Sequence, residues 1–351
     1  MTRRTRVLVA DDSAFARKVL RQTLAADARI DVVDIARDGL DALEKIAALQ
    51  PDVVTLDLVM PQLDGLGVLE AIRTMPSPPR VVVVTMSDAD SALGVAALRA
   101  GAFDVVHKPT ALATDRLYEL GDELVHKVLL AASAPSPVPA APSSQRSTGD
   151  APAPESIAPT PTRTSVLVIG ASTGGPRAVA QVLTRFPSDM PIPIAVVLHM
   201  PAGYTDAYAR RLDGDCALEV LEAKEGMTLE AGRVVVARAG IHLRVERNAA
   251  GALAAALDVK PVEALHRPSV DTLFESAARV LKDRALAVVL TGMGEDGLHG
   301  ARAIRAAGGR VLVEHASTCV VHGMPRAVAA NGLANAEVPL EEMAAAILAA
   351  L

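Results

Sequence analysis

Five short apolar runs, each followed by a segment of helical spacing, constrain the first third of this chain more than any other feature. They are Val7–Ala10, Val32–Ile35, Val53–Leu56, Val81–Val84 and Asp104–Val106. After the first, Ala16, Val19, Leu20, Thr23 and Leu24 fall on one helix face, and Pro51 and Pro109 punctuate the pattern. Runs that are apolar throughout suit parallel strands covered by helices on both faces. Residues 1–130 are therefore expected to form a (βα)5 domain.

Residues 131–163 break the pattern. Ala, Pro and Ser dominate, with prolines at 135, 137, 139, 142, 152, 154, 159 and 161. Such a stretch cannot bury a core and is expected to be a disordered, semi-extended linker. The α/β character resumes over 164–351, with strands expected at Ser165–Ile169, Ile194–Leu198, Leu286–Leu290 and Arg310–Val313. Helices are expected around 176–186, 269–282 and 298–307. The stretch Leu218–Val259, with Val234–Ala237, His242–Val245 and several Gly turns, reads as a hairpin-rich antiparallel insert or edge. An Ala/Leu-rich helix, Leu340–Leu351, ends the chain. The expected second domain is doubly wound α/β with a mainly parallel sheet.

Composition removes several functions. The net charge is −6, no Lys/Arg run stands out, and aromatics make up 2% with no Trp, which argues against nucleic acid as a partner. Cys216 and Cys319 form neither a metal-ligand spacing nor a disulfide framework, which fits a reducing cytoplasm. Val7–Ala10 is cut short by Asp11 and Asp12, too soon for a signal peptide, and no run reaches membrane-spanning length. The expectation is a cytoplasmic protein without direct membrane insertion. Oligomeric state is left open.

In a doubly wound sheet the strand C-termini converge on one edge, where sites form. Asp11 and Asp12 follow the first run, Asp57 the third, Thr85 ends the fourth and Lys108 follows the fifth. Gathered carboxylates repel one another unless a cation joins them, and Mg2+ suits an all-oxygen set. Lys108 could pair with an added phosphoryl group and Thr85 could hydrogen-bond it. Each residue alone would read as a solvated loop acid or a surface lysine; the set at the expected strand ends reads as a site.

The turn Gly170-Ala171-Ser172-Thr173-Gly174-Gly175-Pro176 joins an expected strand to an expected helix. It suits a raised serine nucleophile, although such glycines also serve phosphate binding or plain backbone geometry. His199 and Asp296 each follow an expected strand as Ser172 does, so the three could meet as nucleophile, base and orienting acid. Asp296 could instead cap the helix near Leu298, and Glu295 is a neighbouring rival for the acidic role. The order Ser, His, Asp differs from that of α/β-hydrolases.

As a set, Asp11-Asp12-Ser13, Leu56–Pro61 with Asp64-Gly65, Thr85 and Lys108-Pro109 resemble a response-regulator receiver domain over about residues 5–130. The resemblance implies phosphorylation of Asp57 by a histidine kinase. It also implies Mg2+ held by Asp12, Asp57 and the backbone carbonyl of Val59, with Asp11 alongside through water. Val105 stands where receivers usually carry an aromatic switch residue, so phosphorylation carries over but the aromatic-flip route does not. Further along, Ile169–Pro176, His199–Tyr204, Arg267–Asp271, Leu290–Gly297 and Gly323–Pro325 are similar to the catalytic domain of the CheB family of protein-glutamate methylesterases.

That likeness implies a triad of Ser172, His199 and Asp296 acting on glutamyl γ-methyl esters of methyl-accepting chemotaxis receptors, with deamidation of selected glutamines and no cofactor for the ester chemistry. Backbone N–H groups near Thr173 and Met293 are the oxyanion candidates, and His266 lines the site without a catalytic role. Glu314–Cys319 is less acidic than its family counterpart. The unphosphorylated receiver is expected to cover the catalytic cleft. Rival functions are a receiver-linked transcription factor, a non-catalytic adaptor and a dinucleotide-binding oxidoreductase. The first lacks a basic face, and the last lacks the G-x-G-x-x-G spacing because Ser172 takes the second glycine's place.

Overall fold

The computed structural model describes residues 3–85, 91–108, 114–134 and 164–351. The N-terminal unit runs β1 (Thr5–Ala10), α1 (Ala14–Ala25), β2 (Ile30–Ala36), α2 (Gly39–Leu49), β3 (Val53–Leu56), α3 (Gly65–Arg73), β4 (Arg80–Thr85), α4 (Ser91–Ala100), β5 (Asp104–His107) and α5 (Thr114–Ser133). Its strands form one parallel sheet in the order β2-β1-β3-β4-β5. Helix starts follow side-chain chemistry: Ser13, Asp38 and Asp64 accept from Ala16, Asp41 and Gly67 N–H groups to cap α1, α2 and α3. α5 continues through Ser133 with Ala131 fully buried, so the first residues of the expected linker extend this helix. The Pro-rich remainder, 135–163, and Pro109 lie outside the described residues.

The C-terminal unit opens with β6 (Val166–Ala171), α6 (Gly175–Leu183), β7 (Ile194–Leu198), α7 (Tyr204–Asp215), β8 (Glu219–Glu222) and β9 (Arg233–Val236). It continues with β10 (His242–Arg247), β11 (Leu253–Asp258), α8 (Val270–Leu281), β12 (Ala285–Val289) and α9 (Leu298–Ala306). It closes with β13 (Arg310–Glu314), α10 (Met324–Ala330), β14 (Ala336–Val338) and α11 (Leu340–Ala349). The main sheet has the order β14-β13-β12-β6-β7-β9-β8. Along β6, Leu167 and Ile169 enter the core on one face and Val166 and Val168 the core on the other, which is why the run is apolar throughout.

The antiparallel part of the middle stretch is a single hairpin, β10–β11, outside the main sheet. β8 and β9 instead extend that sheet in parallel: β9 pairs with β7 and β8 with β9. α7, which returns the chain from β7, makes this possible. The order reverses around β6, flanked by β7 on one side and β12 on the other. That crevice is the expected position for a site.

The two units touch where α4 packs on α6 and α7. Tyr204 of α7, fully buried, lies edge-on to His107 of β5 with ring centroids 6.5 Å apart, and against Gly94 of α4. Arg99 of α4 pairs with Asp215 of α7 at 2.8 Å, a half-exposed contact of small energetic weight. Among the described residues no helix is long and apolar enough to cross a membrane.

Candidate active site and acidic pocket

The C-terminal edge of the first sheet gathers Asp11 after β1, Asp57 after β3 and Lys108 after β5. The Lys108 ammonium lies 2.5 Å from Asp11 Oδ2 and 2.7 Å from Asp57 Oδ2, with all three groups nearly inaccessible to solvent. Asp12 is exposed at the rim. Oxygens of Asp11, Asp12 and Asp57 come within 4.8 Å of one another, a hard-donor set that fits a divalent cation. Burial pushes the Asp11 carboxyl up, and the charge of Asp57 adds to that, while Lys108 opposes both. Thr85 is buried at the end of β4, its carbonyl accepting from the Lys108 N–H at 2.7 Å. The Val59 side chain is exposed beside this edge, and its N–H lies 3.4 Å from Asp57 Oδ1.

In the second unit, Ser172, His199 and the loop Thr291–Gly297 lie just beyond β6, β7 and β12, three adjacent strands. The His199 N–H donates to Ala171 O, and the Ser172 N–H to Thr291 O, tying the three strand ends together. His199 Nε2 lies 2.9 Å from Asp296 Oδ2. A carboxylate acceptor requires Nε2 to carry a proton, and in the neutral ring Nδ1 then keeps its lone pair. Nδ1 is buried with no hydrogen-bond partner, as expected of a base awaiting a proton. The His266 ring stacks on His199 with centroids 4.1 Å apart and planes 23° apart. Burial, followed by the neighbouring His199 charge, pushes His266 down to about 4, so it stays neutral at ordinary pH.

Asp296 caps a helix, but not the adjacent one. Its carboxylate accepts from Ser269 Oγ at 2.9 Å and from the N–H groups of Val270 and Asp271 at 2.8 and 2.9 Å, all at the start of α8. Burial pushes this carboxyl up, but the hydrogen bond and charge of His199, with the α8 N–H groups, outweigh it and hold the group at about 2. The start of α9, where a cap by Asp296 was one reading, is served by Asp271 of α8. Asp271 Oδ1 accepts from the N–H groups of Gly297 and Gly300 at 2.9 and 2.7 Å. The two helix starts therefore exchange carboxylates. Gly300 permits the approach: a Cβ there would lie 2.5 Å from Phe274 Cβ and 3.1 Å from Asp271 Cα.

Thr291 joins the nucleophile turn to the far loop. Its hydroxyl donates to Thr173 O at 3.0 Å and accepts from the Val321 N–H at 2.9 Å, while its own N–H donates to buried Glu314 Oε2 at 2.8 Å. Glu314 is thus an internal clamp, fully buried, rather than a surface contact. A cleft of about 1340 Å³ on the Asp296 side of the site is lined by His266, Met293 and Asp296 from the second unit and by Leu130, Ser133 and Ala134 from α5 of the first.

Sequence reasoning placed Ser172, His199 and Asp296 at neighbouring strand ends, where the structure has them. It missed Asp271, Ser269 and Thr291 as supports. A signal existed for the first two: Pro268-Ser269-Val270-Asp271 is a helix-start pattern with a spare carboxylate in the first turn.

Comparisons with known proteins agree with this geometry. Residues 167–347 match the family model described as CheB methylesterase, and residues 7–119 that of the response regulator receiver domain. The chain is 56% identical to protein-glutamate methylesterase/protein-glutamine glutaminase 5 of Myxococcus xanthus, over 97% of this chain and 96% of that protein. It is 43% identical to the protein-glutamate methylesterase/protein-glutamine glutaminase of Geobacillus kaustophilus, over 98% of this chain and 97% of that one. The CheB methylesterase catalytic domain of Thermotoga maritima superposes with a TM-score of 0.52 at 37% identity, covering 54% of this chain and 100% of that domain. With a receiver domain ahead of a catalytic domain and these relatives matched from end to end, the chain belongs to the CheB methylesterase family.

Proposed function

We propose that this protein removes methyl groups from glutamyl γ-methyl esters of chemotaxis receptors, deamidates selected receptor glutamines, and is switched on by phosphorylation. The observation that carries the chemistry is the His199–Asp296 pair, with Nε2 bonded at 2.9 Å and Nδ1 buried without a partner, one strand away from Ser172. His199 Nδ1 takes the Ser172 proton as Oγ attacks the ester carbonyl, and Asp296 stabilises the imidazolium. The nitrogens exchange the roles they have in the serine-protease template. Among the described residues the Thr173 and Met293 N–H groups donate to no other protein group, and they are the oxyanion donors, each worth roughly 3 kcal/mol. The imidazolium returns its proton to the departing methoxide, and methanol leaves. Water activated by His199 then cleaves the glutamyl–serine ester, giving glutamate and free Ser172. The ester chemistry needs no cofactor.

For control, Asp57 accepts a phosphoryl group from a chemotaxis histidine kinase. Asp11, Asp12 and Asp57 fit a divalent cation, with the Val59 carbonyl as a further donor, and bound Mg2+ would neutralise charge during that transfer. Lys108 then pairs with the new phosphoryl group, with Thr85 beside it. α5 supplies one wall of the cleft beside Asp296, which supports a receiver that restricts access until phosphorylated. The domains are 1–134 and 164–351, with 135–163 joining them, and the enzyme works in the cytoplasm, without nucleic acid, on receptors anchored elsewhere. The test is methanol release from methylated receptor membranes with and without a small phosphodonor and Mg2+. Stimulated release by the wild type, abolished in Ser172→Ala, is expected. An Asp57-phosphorylated wild type that releases none would favour the adaptor reading.

A further inference from the structure

Asp271 belongs to no step above, yet it is bonded to the Asp296 loop through both its N–H and its carboxylate. Its N–H donates to Asp296 Oδ1, while its own Oδ1 holds the N–H groups of Gly297 and Gly300, on either side of the α9 start. Asp296 immediately precedes Gly297, so the bond from Gly297 restrains the backbone that carries the orienting acid. Asp296 in turn takes its other bonds from Ser269 Oγ and the Val270 N–H, in the segment that carries Asp271. The arrangement is a closed loop of bonds, and His199 hangs from one of its corners.

We propose that Asp271 is a positioning residue for the His199–Asp296 pair: its carboxylate locks the start of α9 to the start of α8 and so holds Asp296 at its bonding distance from His199. The inference rests on the hydrolase reading above. Burial, with the charge of Asp296 added and the Gly300 and Gly297 bonds opposing, raises the Asp271 carboxyl to about 6. The charged and titratable groups facing it are Asp296 before α9, His299 on α9, and, through Asp296 and Ser269, His199 and His242. The lock is therefore fully ionised above its folded value and loses its charge as the pH falls through about 6.

Both bonds to the α9 start end on one oxygen, which makes two substitutions informative. Asp271→Ala removes the acceptor, whereas Asp271→Asn keeps an oxygen that can accept both N–H groups and removes the titration. The full-length protein is assayed for methanol release against pH, with thermal unfolding in parallel. Asp271→Ala should lower kcat by about tenfold or more with KM little changed, because a displaced orienting acid weakens the transition state rather than binding. Asp271→Asn should recover only part of that kcat at pH 8, a neutral acceptor holding the two N–H groups more weakly than a carboxylate, and lose the part of the wild-type acid limb near pH 6. Wild-type kcat in Asp271→Ala, or an Asn variant no better than the Ala variant, would overturn the proposal. Should the Ala variant not fold, an Asn variant with the wild-type pH profile would overturn it. A wild type releasing no methanol would count against the hydrolase reading itself.

Discussion

Replacing Gly94 with alanine should open the seam between the two units and raise activity without phosphorylation. A Cβ at Gly94 would lie 2.3 Å from Tyr204 Cε1 and 2.9 Å from its hydroxyl oxygen, where ordinary contact begins at 3.4 Å. The ring cannot swing aside freely, because it is fully buried with its other edge towards His107. Separating α4 from α7 relieves the strain at the expense of the buried apolar cluster that joins Val95 and Ala97 to Tyr204 and Tyr208, while the ion pair there, Arg99–Asp215, is half exposed and resists little. Overpacking of this kind costs roughly 1–3 kcal/mol. If that cost falls on the closed arrangement, the open fraction rises by about 5- to 150-fold, up to saturation. The assay is methanol release by full-length protein with and without phosphodonor. Basal release should rise by that factor, stimulation should shrink correspondingly, and the stimulated rate should match the wild type. Unchanged basal release from a folded Gly94→Ala protein would refute the link between this seam and access. So would equal losses with and without phosphodonor, which would mean that Tyr204 shifts within its own unit and disturbs the nearby His199.

Two further outcomes follow from the site. Thr291→Val strands the Val321 N–H and the Thr173 carbonyl, so it should cost roughly 1–3 kcal/mol in thermal unfolding and lower methanol release at saturating substrate, with Thr291→Ser restoring both. Chelating divalent cations should abolish labelling of Asp57 by a phosphodonor while leaving the basal, unstimulated methanol release intact, because only the acidic pocket has a cation-fitting set among the described residues.

Strands buried on both sides announce themselves, because every position of β3 and β6 must be apolar or small. That was enough to place Asp57 and Ser172 at strand ends, and hence to assemble both sites in outline. The supports were harder to read because they act through space. Asp296 stands directly before α9, so local rules assign it as a cap there, yet its partners lie at Ser269–Asp271, on another helix. Only the packing of α8 on α9 brings those donors within reach. β8 and β9 were misleading for a related reason. A Gly-rich stretch between short strands suits a hairpin, but whether a strand joins its sequence neighbour antiparallel or docks on a distant edge depends on α7 and the exposed side of β7. Glu314 reads as a strand-end acid like Asp57, and nothing local reveals that its carboxylate is turned inward to Thr291.

Enzymes ordinarily hold their reactive groups against the interests of the fold, and removing such a group often leaves a sturdier protein. The exchanged carboxylates of α8 and α9 reverse that relation. The acid that orients the base also satisfies three donors of a buried helix start, so its loss would leave them orphaned as well as the imidazole. Drift that discards the activity is then opposed by the architecture itself. A copy of this domain freed from selection for hydrolysis would keep its orienting acid longer than its nucleophile, since the Ser172 side chain makes no comparable set of bonds among the described residues.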